Sequence, residues 1–412
     1  MVTTNWAGNI VFGARALHRP RSVEQLQELV ARSNHVRALG TGHSFSRIAD
    51  TTGDQVVLAD LPSSVRIDAD ARTVTVSAGM RYGEVTGRLH EAGFALPNLG
   101  SLPHISIAGA CSTGTHGSGD GNRALASAVS AIELVGADGG LRTLRRGDAD
   151  FPGAVVALGA LGIVTSLTLD VVPTFEVRQR VLEGLPDLDA VDEVLASGYS
   201  VSLFTYWRGE GFEQVWLKQR ADEEPPAAGW LGTTEASDPV HMVRGMDPVH
   251  CTQQGGEPGP WHQRLPHFRL EFTPSSGDEL QSEYLVPRTA VSDALRALDR
   301  IREQIAPVLQ CAEVRSVAAD DLWLSPAYDR HSVALHFTWL PDTDAVLPVV
   351  TAVEAALEPF APRPHWGKVF TTDPAAVRPL YDRLPDFERL MGEYDPSGKF
   401  RNEMLDRYFP RP

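Results

Sequence analysis

The stretch Ser22–Ser44, SVEQLQELVARSNHVRALGTGHS, carries the change of period on which the fold turns. Val23, Leu26, Leu29 and Val30 recur at helical spacing, and the short run Val36 to Leu39 behind them ends in glycine, as a strand does on entering a turn. The spacing predicts a helix over 22–34 feeding a strand that stops at Gly40-Thr-Gly-His-Ser44. Glycines there let backbone N–H groups approach an anion closely. The segment is neither G-x-G-x-x-G nor a P-loop, so on spacing alone a plain turn is the better reading. A second segment, Gly109-Ala-Cys-Ser-Thr-Gly-Thr-His-Gly-Ser-Gly119, packs glycine and small hydroxyl residues more densely than an exposed loop requires. It predicts a loop that hugs a ligand, and the two together suggest a diphosphate-bearing cofactor lying against backbone.

Working outward, Gln55 to Leu61 and Thr73 to Ser77 read as strands, and Tyr82, Val85, Leu89 and Ala92 as an amphipathic helix before Gly93. Val129 to Val135, the Ala137-Asp-Gly-Gly turn and Leu141 to Leu144 form a hairpin; Ala154 to Leu158 reads as helix and leads into a strand from Ile163 to Val172. Pro173 ends that strand, and a domain boundary is placed there. Beyond it Val291, Leu295, Leu298 and Ile301 make a helical stripe. In Cys311 to Val317, Glu313 and Arg315 share one face of an extended segment with Val314 on the other. In Val333 to Trp339, Ala334, His336 and Thr338 share one face and Val333, Leu335, Phe337 and Trp339 the other. With the His365-Trp-Gly-Lys368 turn, these polar groups could converge on one small molecule; each alone reads as an ordinary surface or core residue.

The chain has 412 residues, 42% apolar and 22% charged, which predicts a globular protein of two or three domains at roughly 150 residues each. Lys plus Arg number 37 against 53 Asp plus Glu, a formal charge of −16, so no general attraction for nucleic acid or anionic lipid is expected. Cys111, Cys251 and Cys311 lie far apart and read as reduced, buried thiols; no metal site is expected. No secretory signal is visible, and the longest apolar run, Ala154 to Val164, falls well short of the roughly 18 residues of a membrane span. A cytoplasmic protein is expected. There is no His-Glu-x-x-His helix, Gly-x-Ser-x-Gly elbow or Gly-Lys-Ser/Thr, which removes the main support for metalloprotease, α/β-hydrolase and P-loop readings.

Eight segments in order make the chain resemble the alditol oxidases of the vanillyl-alcohol oxidase flavoprotein family: Thr4-Asn-Trp-Ala-Gly-Asn9, Gly40-Thr-Gly-His-Ser-Phe45, Ser101-Leu-Pro-His-Ile-Ser106, Thr113-Gly-Thr-His-Gly-Ser118, Glu313-Val-Arg315, His336-Phe-Thr338, His365-Trp-Gly-Lys368 and Asp395-Pro-Ser-Gly-Lys-Phe400. The resemblance runs from end to end. It implies an α+β protein: a two-subdomain FAD-binding domain of the vanillyl-alcohol oxidase type over 1–173, and a substrate-binding cap domain over 174–365 with an antiparallel sheet flanked by helices. A C-terminal segment, 366–412, would return to the FAD-binding domain.

The same resemblance implies a covalent FAD, bonded at its 8α-methyl carbon to the ring of His43. Gly40, Thr41, Gly42, Ser44, Phe45, Ser101, Ser106, Gly109, Thr113, Gly114, Thr115, His116, the backbone at Ile163, and His365 would hold the cofactor. Ser101, Glu313, Arg315, His336, Thr338 and Lys368 would bind a polyol, with Lys368, Arg315 and Glu313 as the catalytic set. The implied reaction is oxidation of the terminal primary hydroxyl of xylitol, sorbitol or a similar polyol to the aldehyde by hydride transfer to flavin N5, with O2 reduced to H2O2 by a monomer. Gly100 stands where relatives carry alanine, and glycine there should keep the O2 route to the flavin open. An aldonolactone oxidase of the gulonolactone or arabinonolactone type is the alternative enzyme, and a non-catalytic sugar-binding flavoprotein the alternative of another class.

Overall fold

In the computed structural model, which describes residues 4–272 and 278–411, Ser22 caps the helix Val23–Arg32 by accepting a hydrogen bond from the Gln25 amide at 3.3 Å. Leu26, Leu29 and Val30 form its buried face. The strand Val36–Ala38 follows and joins Ala16–His18 and Asp54–Val56 in a three-stranded parallel sheet, with Asp54–Val56 in the middle. Parallel pairing needs crossovers, and the helix supplies the one between the two outer strands. A five-stranded antiparallel sheet comes next, in the spatial order Val65–Asp68, Thr73–Ser77, Ile163–Asp170, Val129–Val135, Leu141–Arg145.

Several expected elements end elsewhere, among them the strand expected from Ile163 to Val172, which stops at Asp170, with Val172–Pro173 pairing separately with Phe94–Ala95. The extended run after Gln55 stops with the strand Asp54–Val56, because Leu61 turns back to donate its amide to the Leu58 carbonyl at 3.1 Å. The helix expected over Ala154 to Leu158 is instead Phe151–Val155, with Pro152 in its first turn, where a missing N–H costs nothing. It ends as Val156 leaves the helical region (φ −90°, ψ 70°), and Leu158 is left-handed at φ +55°.

The C-terminal segment packs into the same core as the first residues: Phe387, Leu390, Phe400 and Leu405 share one buried cluster with Leu26, Val36, Ile132 and Leu167. Asp395 organises it by accepting the amides of Lys399 and Phe400, each at 2.7 Å, and the Lys399 carbonyl accepts the Val36 amide at 2.9 Å. Buried Arg37 donates to the Phe400 carbonyl at 2.7 Å and the Leu158 carbonyl at 2.8 Å, so one side chain ties three distant parts of the chain. Burial draws it down to about 10, which still leaves it cationic.

Between these parts lies a nine-stranded antiparallel sheet, whose centre runs Phe212–Arg220, Ser200–Thr205, Leu309–Val317, Ser332–Trp339, Leu280–Pro287. Its apolar face packs Leu203, Val215, Val314, Leu335 and Phe337 against Leu295 and Leu298 of the helix Val291–Asp299 and Val346, Val350 and Val353 of the helix Thr343–Leu357. Alternation leaves the polar face on the opposite side, and every residue of Ser332–Trp339 is buried, so that face looks into the molecule. Among the described residues no helix is long and apolar enough to cross a membrane, and all three cysteines are free and buried.

Candidate active site

The polar sheet face and the two glycine-rich loops line a single cavity of about 750 Å³. On one side stand Gly40, Thr41, Gly42, His43, Ser44, Phe45, Gly100, Ser101, Ser106, Gly109, Thr113, Thr115 and His116; on the other Glu313, Arg315, His336, Thr338, His365 and Lys368. Two of the expected cofactor residues are not on this wall. Ile163 pairs with Val135 inside the five-stranded sheet, between Gly162 and Val164, which do line the cavity. Gly114, at φ +73°, lies against Pro326, where a Cβ would come within 2.8 Å of the proline ring.

Register sets the chemistry of the sheet side. His336 lies directly opposite Glu283 on one neighbouring strand and Glu313 on the other; Thr338 lies opposite Gln281 and Cys311. Two polar rows therefore cross three strands. Lys368 reaches the rows from a turn stitched to both sides of the cavity. Val369 donates to the Gln281 carbonyl at 2.8 Å, Phe45 to the Gly367 carbonyl at 2.7 Å, and the Gly367 amide to His365 Nδ1 at 3.0 Å. Trp366, wholly buried, anchors the turn through Nε1 to the Leu324 carbonyl at 2.9 Å.

Glu283, unremarked in the sequence, is the hub. Its carboxylate lies 2.9 Å from Arg315 Nη2, 3.0 Å from His116 Nε2, 3.4 Å from His336 Nδ1 and 3.7 Å from Lys368 Nζ. Burial pushes Glu283 upward, but attraction to His116, Arg315 and Lys368 outweighs it and holds the carboxyl well below the usual range. Its signal was alternation in the strand Leu280–Pro287, which puts Gln281 and Glu283 on the face opposite Tyr284 and Val286. Burial lowers the Lys368 ammonium, with Glu283 opposing and Arg315 reinforcing. Lys368 Nζ also donates to Gln281 Oε1 and stands 3.4 Å from His336 Nδ1. Burial, helped by the Lys368 charge, draws His336 to about 4, and its Nε2 is 3.2 Å from Thr338 Oγ1. Arg315 Nη1 donates to Ser101 Oγ at 3.3 Å, linking the sheet to the wall built by the glycine-rich segments.

On that side, the segment expected as a loop from Gly109 begins in the helix Ile107–Ser112; a Cβ at Gly40 would stand 2.5 Å from Ser106 Oγ and one at Gly109 2.7 Å from the same atom, so turn and helix close on one hydroxyl as only glycine allows. None of the amides of Gly40 to Ser44 donates to a backbone carbonyl of another described residue, which leaves a run of donors on the cavity wall suited to a diphosphate. His43 stacks on Trp6 with ring centroids 5.3 Å apart, and its Nδ1 is 2.9 Å from Thr41 Oγ1. Burial draws it to about 4, so the ring is neutral at physiological pH.

Residues 14–145 match the model of an FAD binding domain, and residues 278–408 that of D-arabinono-1,4-lactone oxidase. An alditol oxidase of Streptomyces sp. is 56% identical over 407 residues, spanning 98% of this chain and 97% of that protein. The chain belongs to the alditol oxidase family. It is an FAD-dependent oxidoreductase. Further relatives of this alditol oxidase family member include an L-gulono-1,4-lactone dehydrogenase of Mycobacterium tuberculosis, 29% identical over 98% of both chains. Among solved structures, cholesterol oxidase from Brevibacterium sterolicum superposes with a TM-score of 0.80 over 99% of this chain and 96% of its own, at 14% identity. That likeness shows the vanillyl-alcohol oxidase fold, an α+β architecture with mixed helices and antiparallel sheets.

Proposed function

We propose that this enzyme oxidises the terminal primary hydroxyl of a polyol such as xylitol or sorbitol to the aldehyde, with O2 reduced to H2O2. The observation that carries it is the double polar row of Glu283, His336, Glu313, Gln281 and Thr338, flanked by Arg315 and Lys368, inside the cavity that Gly40 to Phe45 also line. A site that hydrogen-bonds several hydroxyls rejects molecules lacking them, because its buried polar groups would be left unpaired.

FAD, when bound, supplies the hydride acceptor and the route of electrons to O2. Gly40 to Phe45, Ser106, Gly109, Thr113, Thr115, His116 and His365 would hold it, and the neutral His43 ring would be its point of attachment, a ring nitrogen replacing one hydrogen of the flavin 8α-methyl with the two electrons passing to O2. On the substrate, Glu313 and Thr338 bind the inner hydroxyls. Ser101 and Arg315 hold the reacting oxygen, and the cation favours the negative charge that develops there. The hydroxyl proton passes to Lys368 Nζ, whose charged form burial disfavours, or to its neighbour His336, 3.4 Å away. Gly100 keeps the O2 route open: a Cβ there would meet nothing closer than the His116 carbonyl at 3.7 Å.

The same reading divides the chain into a cofactor part, 1–173 with 366–412, and a substrate part, 174–365. It takes the protein as a cytoplasmic monomer, for which three buried free thiols are suited. A second reading, oxidation of an aldonolactone, is favoured by the match of residues 278–408 to D-arabinono-1,4-lactone oxidase, since that span includes Glu283, Glu313, Arg315, His336, Thr338 and Lys368. Peroxide formation decides between them. Higher kcat/KM with xylitol or sorbitol than with L-gulono-1,4-lactone is expected, and dominance of the lactone would reverse the order.

A further inference from the structure

Beside Glu313 runs a buried chain of polar groups that the mechanism above does not use, reaching the cavity wall at His267. Lys218, on the strand Phe212–Arg220, is completely buried, and its Nζ has three acceptors: the Leu265 carbonyl at 2.6 Å, the Pro266 carbonyl at 3.0 Å and His267 Nδ1 at 3.1 Å. Three acceptors match the three protons of an ammonium. Burial draws Lys218 down to about 7, and Glu313 opposes that shift.

Because Glu313 can only accept, Nδ1 of the His267 ring is left to accept from Lys218 and the ring hydrogen sits on Nε2. That nitrogen lies 2.7 Å from Glu313 Oε1, and a carboxylate can only accept. The ring has little freedom to do otherwise, since Trp216 and Phe204 stand edge-on to it at centroid distances of 5.1 and 5.8 Å. The backbone locks the same place: the His267 amide donates to the Ser101 carbonyl at 3.0 Å. One Glu313 oxygen is thus occupied by His267, and Oε2 remains, 3.5 Å from Arg315 Nε.

We propose that Lys218 and His267 are positioning residues that fix the orientation of the Glu313 carboxylate, holding Oε1 from one side and leaving Oε2, shared with Arg315 Nε, to meet the substrate, which must present a hydroxyl donor there. This rests on the polyol reading and deepens it, because a lactone carbonyl at that position would face a second acceptor.

The test is steady-state kinetics of the FAD-loaded enzyme with xylitol. Lys218→Met and His267→Leu are expected to raise KM about tenfold, the effect of one well-placed hydrogen bond, with kcat changed less than about threefold. His267→Gln, whose side-chain amide restores the donor to Glu313, is expected to stay within about threefold of wild type in KM. In a Glu313→Gln background, Lys218→Met and His267→Leu should each change KM less than about twofold, because the group they position is gone. Equal penalties for His267→Gln and His267→Leu would overturn the proposal, as would an undiminished effect of Lys218→Met in the Glu313→Gln background. Whether or not a variant folds, nitrogen NMR of the wild type reads the tautomer directly: hydrogen on His267 Nε2 is expected, and hydrogen on Nδ1 contradicts it. A wild type that ignores xylitol would refute the polyol reading instead, and the tautomer result would stand apart from it.

Discussion

Glu283 carries four nitrogen-bearing neighbours between 2.9 and 3.7 Å, from two strands and two loops. Removing one side of a buried ion pair leaves the other uncompensated, at about 3–5 kcal/mol. Glu283→Gln is accordingly expected to lower kcat/KM at least about 100-fold and to lower Tm, both read in one preparation by peroxide assay and calorimetry. Retention of full activity would remove the hub role. At His43 the prediction concerns the cofactor. Wild-type protein run on a denaturing gel should carry flavin fluorescence on its band, and His43→Ala should not. Flavin released from the wild type would show that the ring is not the attachment point.

Among elements, the turn bearing Lys368 shows how apolar packing places the proposed proton acceptor. Trp366 sits in an aromatic cluster, 5.4 Å from Tyr381 and 5.7 Å from Phe409 by ring centroid, and holds the turn by one hydrogen bond. Trp366→Ala is expected to destabilise by about 3–5 kcal/mol and to reduce kcat, whereas Trp366→Phe loses chiefly the hydrogen bond, about 1 kcal/mol; urea unfolding checks both. At this scale much was legible from the sequence. Ser332–Trp339 alternates so regularly that its two faces could be assigned residue by residue, and Glu313 and Arg315 stood out for the same reason. The strand Leu280–Pro287 obeys the same alternation, but Glu283 occurs there without a neighbouring motif, and only its pairing opposite His336 gives it meaning. Lys218 and His267 were less visible still. Their link depends on a loop crossing a sheet, and no local period encodes that.

The whole molecule answers to pH through groups that the fold keeps uncharged. Burial draws His267 and His336 to about 4 and His365 to about 3, whereas an unfolded chain titrates its histidines near about 6.5. Between these values the unfolded state binds more protons than the folded one, so stability is held above about pH 6.5 and falls as pH drops toward about 4. Tm measured across that interval should decline, and His365→Asn, which can still accept the Gly367 amide, should flatten the decline; a Tm independent of pH would contradict this. The sequence suggested a two-part plan through its glycine-rich segments and its rhythm change near Pro173. It could not show that the polar faces of separate strands turn inward onto the glycine-rich segments, because burial of a polar face is decided by what packs on the opposite face. That meeting of loop and sheet is the basis of the proposed chemistry. Anaerobic mixing of the flavin-loaded protein with xylitol tests it most directly. Bleaching of the flavin absorbance, then its return with equimolar H2O2 on admitting O2, is the predicted result; a flavin left oxidised by polyols but bleached by an aldonolactone would contradict the account.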